Sequence, residues 1–277
     1  MATKQDAPIN GPLDWLRKRR RRYVKRFGKR AIRSLFGYLG RQSLVGDAPV
    51  LDKSLFPHLR ALEENWQIIR AELDKVLETR DALPPFQMVS RDQKRIAKGD
   101  RWKTFILYGF RYRAPKNCAQ CPETAKLLDA IPGLETAFFS ILSPGYHIPA
   151  HRGITKGLVR GHLGLKVPKD RANCTMRVDT TSNMWAEGEL LMFDDTYDHE
   201  VWNNTDEERV VLLFDIVRPM RFGGRILNEA FLKGIRWTSY YKDARKQVDT
   251  WEDRFEAAVM RADALHIEAE NKGARRD

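Results

Sequence analysis

A chain of 277 residues with 42% hydrophobic and 31% charged residues, 7 Trp and 13 Phe can bury a sizeable core, as one large domain with extensions or two small ones, and is too apolar to be disordered. The net charge of +12 is local, because Arg17 to Arg33 holds 11 Lys or Arg and no acid, so it describes an attached basic element and not the body of the protein. No apolar run approaches the roughly 18 to 20 residues that cross a bilayer. Three cysteines without an apolar leader point to a reducing, cytoplasmic setting.

Residues 1–11 are polar. From Trp15 to about Leu39, apolar residues at Leu16, Tyr23, Val24, Phe27, Ala31, Leu35 and Tyr38 recur near helical spacing with cations between them, which predicts a basic amphipathic helix kinked at Gly28. Such a helix suits an anionic bilayer, at the inner face of the membrane, better than nucleic acid or a solvated tail. The first segment is therefore 1–40. A second, helical extension covers 41–100. In it Leu59, Leu62, Trp66, Ile69, Leu73, Val76 and Leu77 form one stripe, closed by Pro84 and Pro85.

"WKTFILYGF" (102–110) reads as a strand and "CPETAKLLDAIPG" (121–133) as a short helix. Cys118 and Cys121 in "CAQC" have no second CxxC to complete a zinc site and read as ordinary thiols. From Ala137 the texture is short β segments ("AFFSIL", "GHLGLKV", "CTMRVD", "ELLMF", "RVVLLFDIV") separated by turn clusters. The expected fold class is mainly β with flanking helices, a jelly roll whose mouth holds a ligand, spanning 101–220. A C-terminal helical region fills 221–277.

The chemistry concentrates in "HRGITKGLVRGH" (151–162) and "FDDTYDHEVWNN" (193–204). His151 ends one strand-like segment and His199 follows another, so their imidazoles can converge at a barrel mouth on one divalent metal. Arg160 and His162 alternate onto one face of a strand, with Leu163 and Leu165 on the other. Arg209 opens an apolar strand, where a cation is costly unless an anion meets it, either a bound carboxylate or one of Asp194, Asp195 and Glu200.

In order, "FSILSPGYHIPAHRG", "RGHLGLKVP" and "MWAEGELLMFDDTYDHEVWNNTDEERVVLLFDIVRP" resemble the aspartyl/asparaginyl β-hydroxylase family of Fe(II)- and 2-oxoglutarate-dependent oxygenases, over about residues 100–220. The resemblance implies a double-stranded β-helix that uses Fe(II), 2-oxoglutarate and dioxygen. It implies His151 and His199 as iron ligands, and Arg209 and Ser140 at the distal carboxylate of 2-oxoglutarate. Arg160 and His162 would surround the carboxylate beside the keto group, with Trp102 near the cosubstrate. The usual carboxylate two residues after the first ligand is replaced by Gly153, leaving a position for water held by a nearby acid; Asp194 and Asp195 are candidates for that or for turn capping. Trp185, Tyr146 and Tyr197 are candidate entrance residues or core.

The layout also resembles the lipid-modifying branch, lipid A 2-hydroxylases and ornithine-lipid acyl hydroxylases. That resemblance implies 2-hydroxylation of a membrane lipid acyl chain. "HRG", as in the family's protein hydroxylases, implies instead an Asp or Asn residue of a protein. A third reading is a membrane- or nucleic-acid-binding module that has lost its iron.

Overall fold

Eight strands wind between two facing antiparallel sheets, and the winding order defines the architecture. They are β4 (Leu134–Leu142), β5 (Tyr146–His151), β6 (Leu158–Lys166), β7 (Cys174–Val178), β8 (Thr181–Met184), β9 (Leu190–Phe193), β10 (His199–Asn203) and β11 (Arg209–Val217). In the computed structural model, which describes residues 30–89, 95–97, 99–237 and 239–273, the small sheet runs β5-β10-β7-β8. The large sheet contains β9-β6-β11-β4, extended at one edge by β1 (Val50–Leu51) and at the other by β2 (Trp102–Gly109) and β3 (Tyr112–Arg113). First strand beside last, third beside sixth, second beside seventh and fourth beside fifth is the double-stranded β-helix that the resemblance implied.

Burial explains which strands are obvious in the sequence. The large sheet is covered on both faces. Leu163, Phe139, Leu212 and Phe214 point to one cluster, shared with Leu59, Ile69, Leu73 and Val76 of the N-terminal helices. Phe138, Leu142, Val211 and Leu213 point to a second, between the sheets. A strand buried on both sides reads as a continuous apolar run, as "RVVLLFDIV" does. The small sheet has one wet face, so β7 and β10 alternate buried and half-buried positions and look weaker as sequence.

The helices are α1 (30–42), α2 (Arg60–Glu64), α3 (Trp66–Glu78), α4 (Phe86–Val89), α5 (Pro115–Gln120), α6 (Pro122–Asp129), α7 (Phe222–Arg236) and α8 (Ser239–Gly273). Of the basic helix expected over 15–39, residues 15–29 and the kink at Gly28 lie outside the described residues; its remainder is α1. The single helix expected before Pro84 is two, because Asn65 leaves the helical region (φ −111°, ψ 18°) and its Nδ2 donates to Ala61 O at 2.8 Å. Its apolar stripe holds nonetheless, with Leu62, Ile69, Leu73 and Val76 buried, each stabilising by about 1.5–3 kcal/mol. Cys118, Cys121 and Cys174 are buried free thiols, and burial pushes the Cys118 thiol up to about 11. Among the described residues no helix is long and apolar enough to cross a membrane.

Candidate active site

His151 ends β5 and His199 begins β10, and the two are direct register partners across the small sheet. Strand pairing thus brings together residues 48 positions apart, with ring centroids 4.1 Å from each other. His151 Nδ1 donates to Pro149 O (2.9 Å) and His199 Nδ1 to Tyr197 O (3.0 Å). A carbonyl only accepts, so both protons sit on Nδ1 and both Nε2 lone pairs remain for a ligand. Burial lowers the pKa of His151 to about 4 and of His199 to about 3, the latter helped by His151 itself, so both rings are neutral near pH 7. Among the described residues no third His, Cys, Asp or Glu completes a three-residue metal cluster with them.

At the other end of the same cavity lies Arg209, 1% exposed, the first residue of β11. It pairs with none of the acids weighed for it: its Nε and Nη1 have no hydrogen-bond partner, and its guanidinium lies 4.8 Å from the centre of the Trp185 ring. Burial lowers its pKa to about 10, which still leaves it charged at neutrality. Beside it on the sheet, Ser140 Oγ accepts from Trp102 Nε1 at 3.0 Å, which leaves the Ser140 hydroxyl proton to donate elsewhere. Trp102 is fixed by stacking on Phe86, with centroids 3.9 Å apart. His162 Nδ1 accepts from Trp185 Nε1 at 3.2 Å, so its proton is on Nε2, which is buried without a partner. Burial, with Arg209 and Arg160 nearby, drives the His162 pKa well below its usual value, making it a neutral donor.

Arg160 departs from the role implied for it. Its Nε and Nη2 donate to the two carboxylate oxygens of Asp215 at 2.8 and 2.9 Å, and Nη1 lies 3.3 Å from Asp195 Oδ2. Burial disfavours its charge, but these two carboxylates more than offset that and raise its pKa. All three nitrogens are thereby committed, and Arg160 positions acids rather than gripping an incoming carboxylate. Asp215 was missed in sequence; the signal was an acid inside "LLFDIV", and it becomes interpretable only with the register Asp215↔Arg160.

Gly153 answers the question of the missing carboxylate. A Cβ built there would overlap the carboxyl group of Asp195, and Gly153 N donates to Asp195 O at 2.6 Å. Asp195, from the β9–β10 turn, therefore fills the volume that a side chain at 153 would take. Its pKa is raised to about 6, chiefly by burial, against the pull of Arg160. Asp194 is structural: wholly buried, it pairs with Arg218, meets Lys156 Nζ at 2.9 Å and accepts from Thr196 N at 3.0 Å.

The cavity encloses about 180 Å³ and its remaining wall is mostly apolar, including Phe86, Ile106, Phe138, Ile148, Val201 and Leu213. None of the three aromatic candidates for the entrance lines it. Trp185 is 1% exposed and lies beneath His162 and Arg209; Tyr146 lies 5.7 Å from the Arg101 guanidinium; Tyr197 donates to Asp47 O at 3.1 Å. The outer wall is instead Ile154, Phe110, Arg245 and Val248. Phe110 and Arg111 both have positive φ (51° and 66°) in the two-residue β2–β3 turn, a strained conformation that carries Phe110 into this wall.

A buried pair of neutral imidazoles, an unpaired guanidinium with a free hydroxyl donor, and a neutral donor between them fit a divalent metal and a dicarboxylate bound side by side. The family model described as Aspartyl/Asparaginyl beta-hydroxylase matches residues 63–219. The ornithine lipid ester-linked acyl 2-hydroxylase of Rhizobium tropici is 44% identical over 213 residues, 77% of this chain and 76% of that one. The human aspartyl/asparaginyl beta-hydroxylase is 33% identical over 168 residues, 58% of this chain and 21% of that protein's length. A solved Pseudomonas putida prolyl-4-hydroxylase aligns with 59% of this chain and 100% of its own, at 20% identity and a TM-score of 0.38.

Proposed function

The chain belongs to the aspartyl/asparaginyl β-hydroxylase family, and from that premise we propose that it is an Fe(II)- and 2-oxoglutarate-dependent dioxygenase that hydroxylates a membrane lipid acyl chain at its 2-position. The observation that carries the cosubstrate is Arg209: a wholly buried cation with two unsatisfied nitrogens needs an anion, and the two acids that line the cavity, Asp195 and Asp215, are engaged by Arg160 instead. Arg209 and Ser140 would hold the distal carboxylate of 2-oxoglutarate, and His162 Nε2–H would donate to the carboxylate beside the keto group. His151 and His199 would hold iron through Nε2. Asp195, oriented by Arg160, would hold a water where residue 153 supplies nothing. Bound there, iron and 2-oxoglutarate together with dioxygen supply the oxidising power that replaces a C–H hydrogen by hydroxyl, with succinate and carbon dioxide as coproducts. The apolar wall excludes water and aligns a hydrocarbon chain.

The acyl substrate is supported by that apolar wall and by the Rhizobium tropici relative, which resembles this chain over most of both lengths. The basic segment 15–39 would hold the protein at the anionic inner face of the membrane. Anaerobic reconstitution with Fe(II), then 2-oxoglutarate and air with a total lipid extract, tests the reading by mass spectrometry. Succinate and a lipid acyl group gaining one oxygen are expected. Turnover only with Asp- or Asn-containing peptides would transfer the activity to a protein substrate, a reading that Gly153 alone favours. Absence of both iron binding and succinate would leave a non-catalytic binding module.

A further inference from the structure

Helix α7 buries one side and leaves the other unusually apolar. Gly224, Asn228 and Leu232, at four-residue spacing, face the protein. On the opposite side Phe222 is 71%, Ile226 55% and Trp237 86% exposed, interleaved with exposed Arg225 and Lys233. The Arg225 guanidinium lies 5.8 Å from the centre of the Phe222 ring. The helix also sits directly against α1. Arg221 N donates to Gln42 O and Leu44 N to Pro219 O, both at 2.9 Å, and a side chain at Gly224 would collide with Gln42. Helix α1 adds exposed Ile32 and exposed Arg30, Arg33 and Arg41. Over 30–42 and 221–237 there are seven cations and one acid, Glu229, which is already paired with Arg236 at 3.2 Å.

We propose that α1 and the outer face of α7 form one interfacial docking surface for an anionic bilayer, and that this docking sets the Ile154 rim of the cavity beside the membrane. Large apolar side chains alternating with Arg and Lys match the headgroup boundary, where the rings and aliphatic groups enter and the cations stay with phosphate. A second copy would set cations against cations, so charge selects the lipid over self-association. The link to the site is direct: Asn228 Nδ2, on the buried side of α7, donates to Gly157 O at 2.9 Å, and the loop 152–157 that it holds carries Ile154 and Thr155 in the cavity wall. Gly157 thus lies about one helix diameter, roughly 10 Å, behind the docking face, and Ile154 is three residues away on the same loop. An acyl chain can enter the cavity while its headgroup remains at the interface. The orientation rests on the acyl-lipid reading; the docking does not.

The full chain should sediment with phosphatidylglycerol-containing vesicles. Phe222→Asp/Ile226→Asp should weaken that binding about ten-fold or more with the unfolding midpoint unchanged. Met184→Asp, an equally exposed apolar residue on β8, should bind as the parent does. The native thiols are buried, so a fluorophore on Ile226→Cys can be compared with one on Ser182→Cys. Quenching by nitroxide lipids should reach the first and spare the second. Parent-like vesicle binding by the double variant, equal quenching at both sites, or a parent dimer that the double variant dissociates would each overturn the surface. None of these measurements uses iron or turnover. Conversely, if docking holds but no lipid is oxidised, the acyl reading fails alone.

Discussion

Replacing Gly153 by Asp, which restores the carboxylate usual at this position of the proposed metal site, should damage the protein rather than improve it. The carboxyl group of Asp195 already fills the volume at 153, so the variant forces two carboxylates into the space of one. At about 4 Å and an effective dielectric near 20 their repulsion is about 4 kcal/mol. Protonating one of them relieves part of this, and overpacking adds about 1–3 kcal/mol. A net loss of about 3 kcal/mol is expected, which lowers the Tm of a chain this size by roughly 6–12 °C. The assay is thermal and urea unfolding of metal-free protein, with Fe(II) affinity by anaerobic titration. The loss should shrink at about pH 5, where Asp195, raised to about 6, takes up a proton. The double variant Gly153→Asp/Asp195→Gly should return to within about 1 kcal/mol of the parent, because Asp215 still neutralises Arg160. A single variant that melts with the parent and binds iron more tightly would refute the claim that Asp195 occupies the vacancy.

Arg209→Met should abolish the thermal shift given by 2-oxoglutarate, yet leave the empty protein equally stable or about 1–3 kcal/mol more so, since an unpaired buried cation is removed; a marked destabilisation would mean Arg209 has an internal partner. His151→Ala or His199→Ala should eliminate iron binding and turnover while circular dichroism and cooperative unfolding persist. Stability of the metal-free parent should fall as pH drops below about 6.5, because the unfolded histidines take up protons that the folded ones refuse down to about 4 and about 3. The expected loss is a few kcal/mol, a flat urea profile between about pH 7 and about pH 5 would contradict it, and His199→Ala should flatten the slope. Asp194→Asn should cost about 3–5 kcal/mol by stranding the buried Arg218, while Lys156 keeps Asp47 as its partner at 2.5 Å, measured by urea midpoint.

The sequence disclosed what depends on local pattern. Strands buried on both faces, such as β4 and β11, announce themselves as apolar runs, and the motif order singled out His151, His199 and Arg209, which the fold brings to the wall of one cavity. What stayed hidden depends on register. Strand β8 ("TSNM") is nearly all exposed and resembles a turn; β10 ("HEVWN") hides its alternation among charges. Arg160 looked like a ligand for substrate because its partner Asp215 lies 55 residues away and meets it only once β6 and β11 align. For Trp185 both entrance and core stayed open, because its indole's place beneath His162 follows from sheet packing, which no spacing encodes.

Arg245 and Val248, on α8, close the outer side of the cavity, and both lie beyond the stretch 63–219 matched by the family model. On the proposed reading, the wall that meets the substrate thus draws in part on a region outside the stretch that would hold the metal and the cosubstrate. On that reading a lineage could redraw the C-terminal helix, and with it part of the shape the cavity accepts, while leaving His151, His199 and Arg209 untouched.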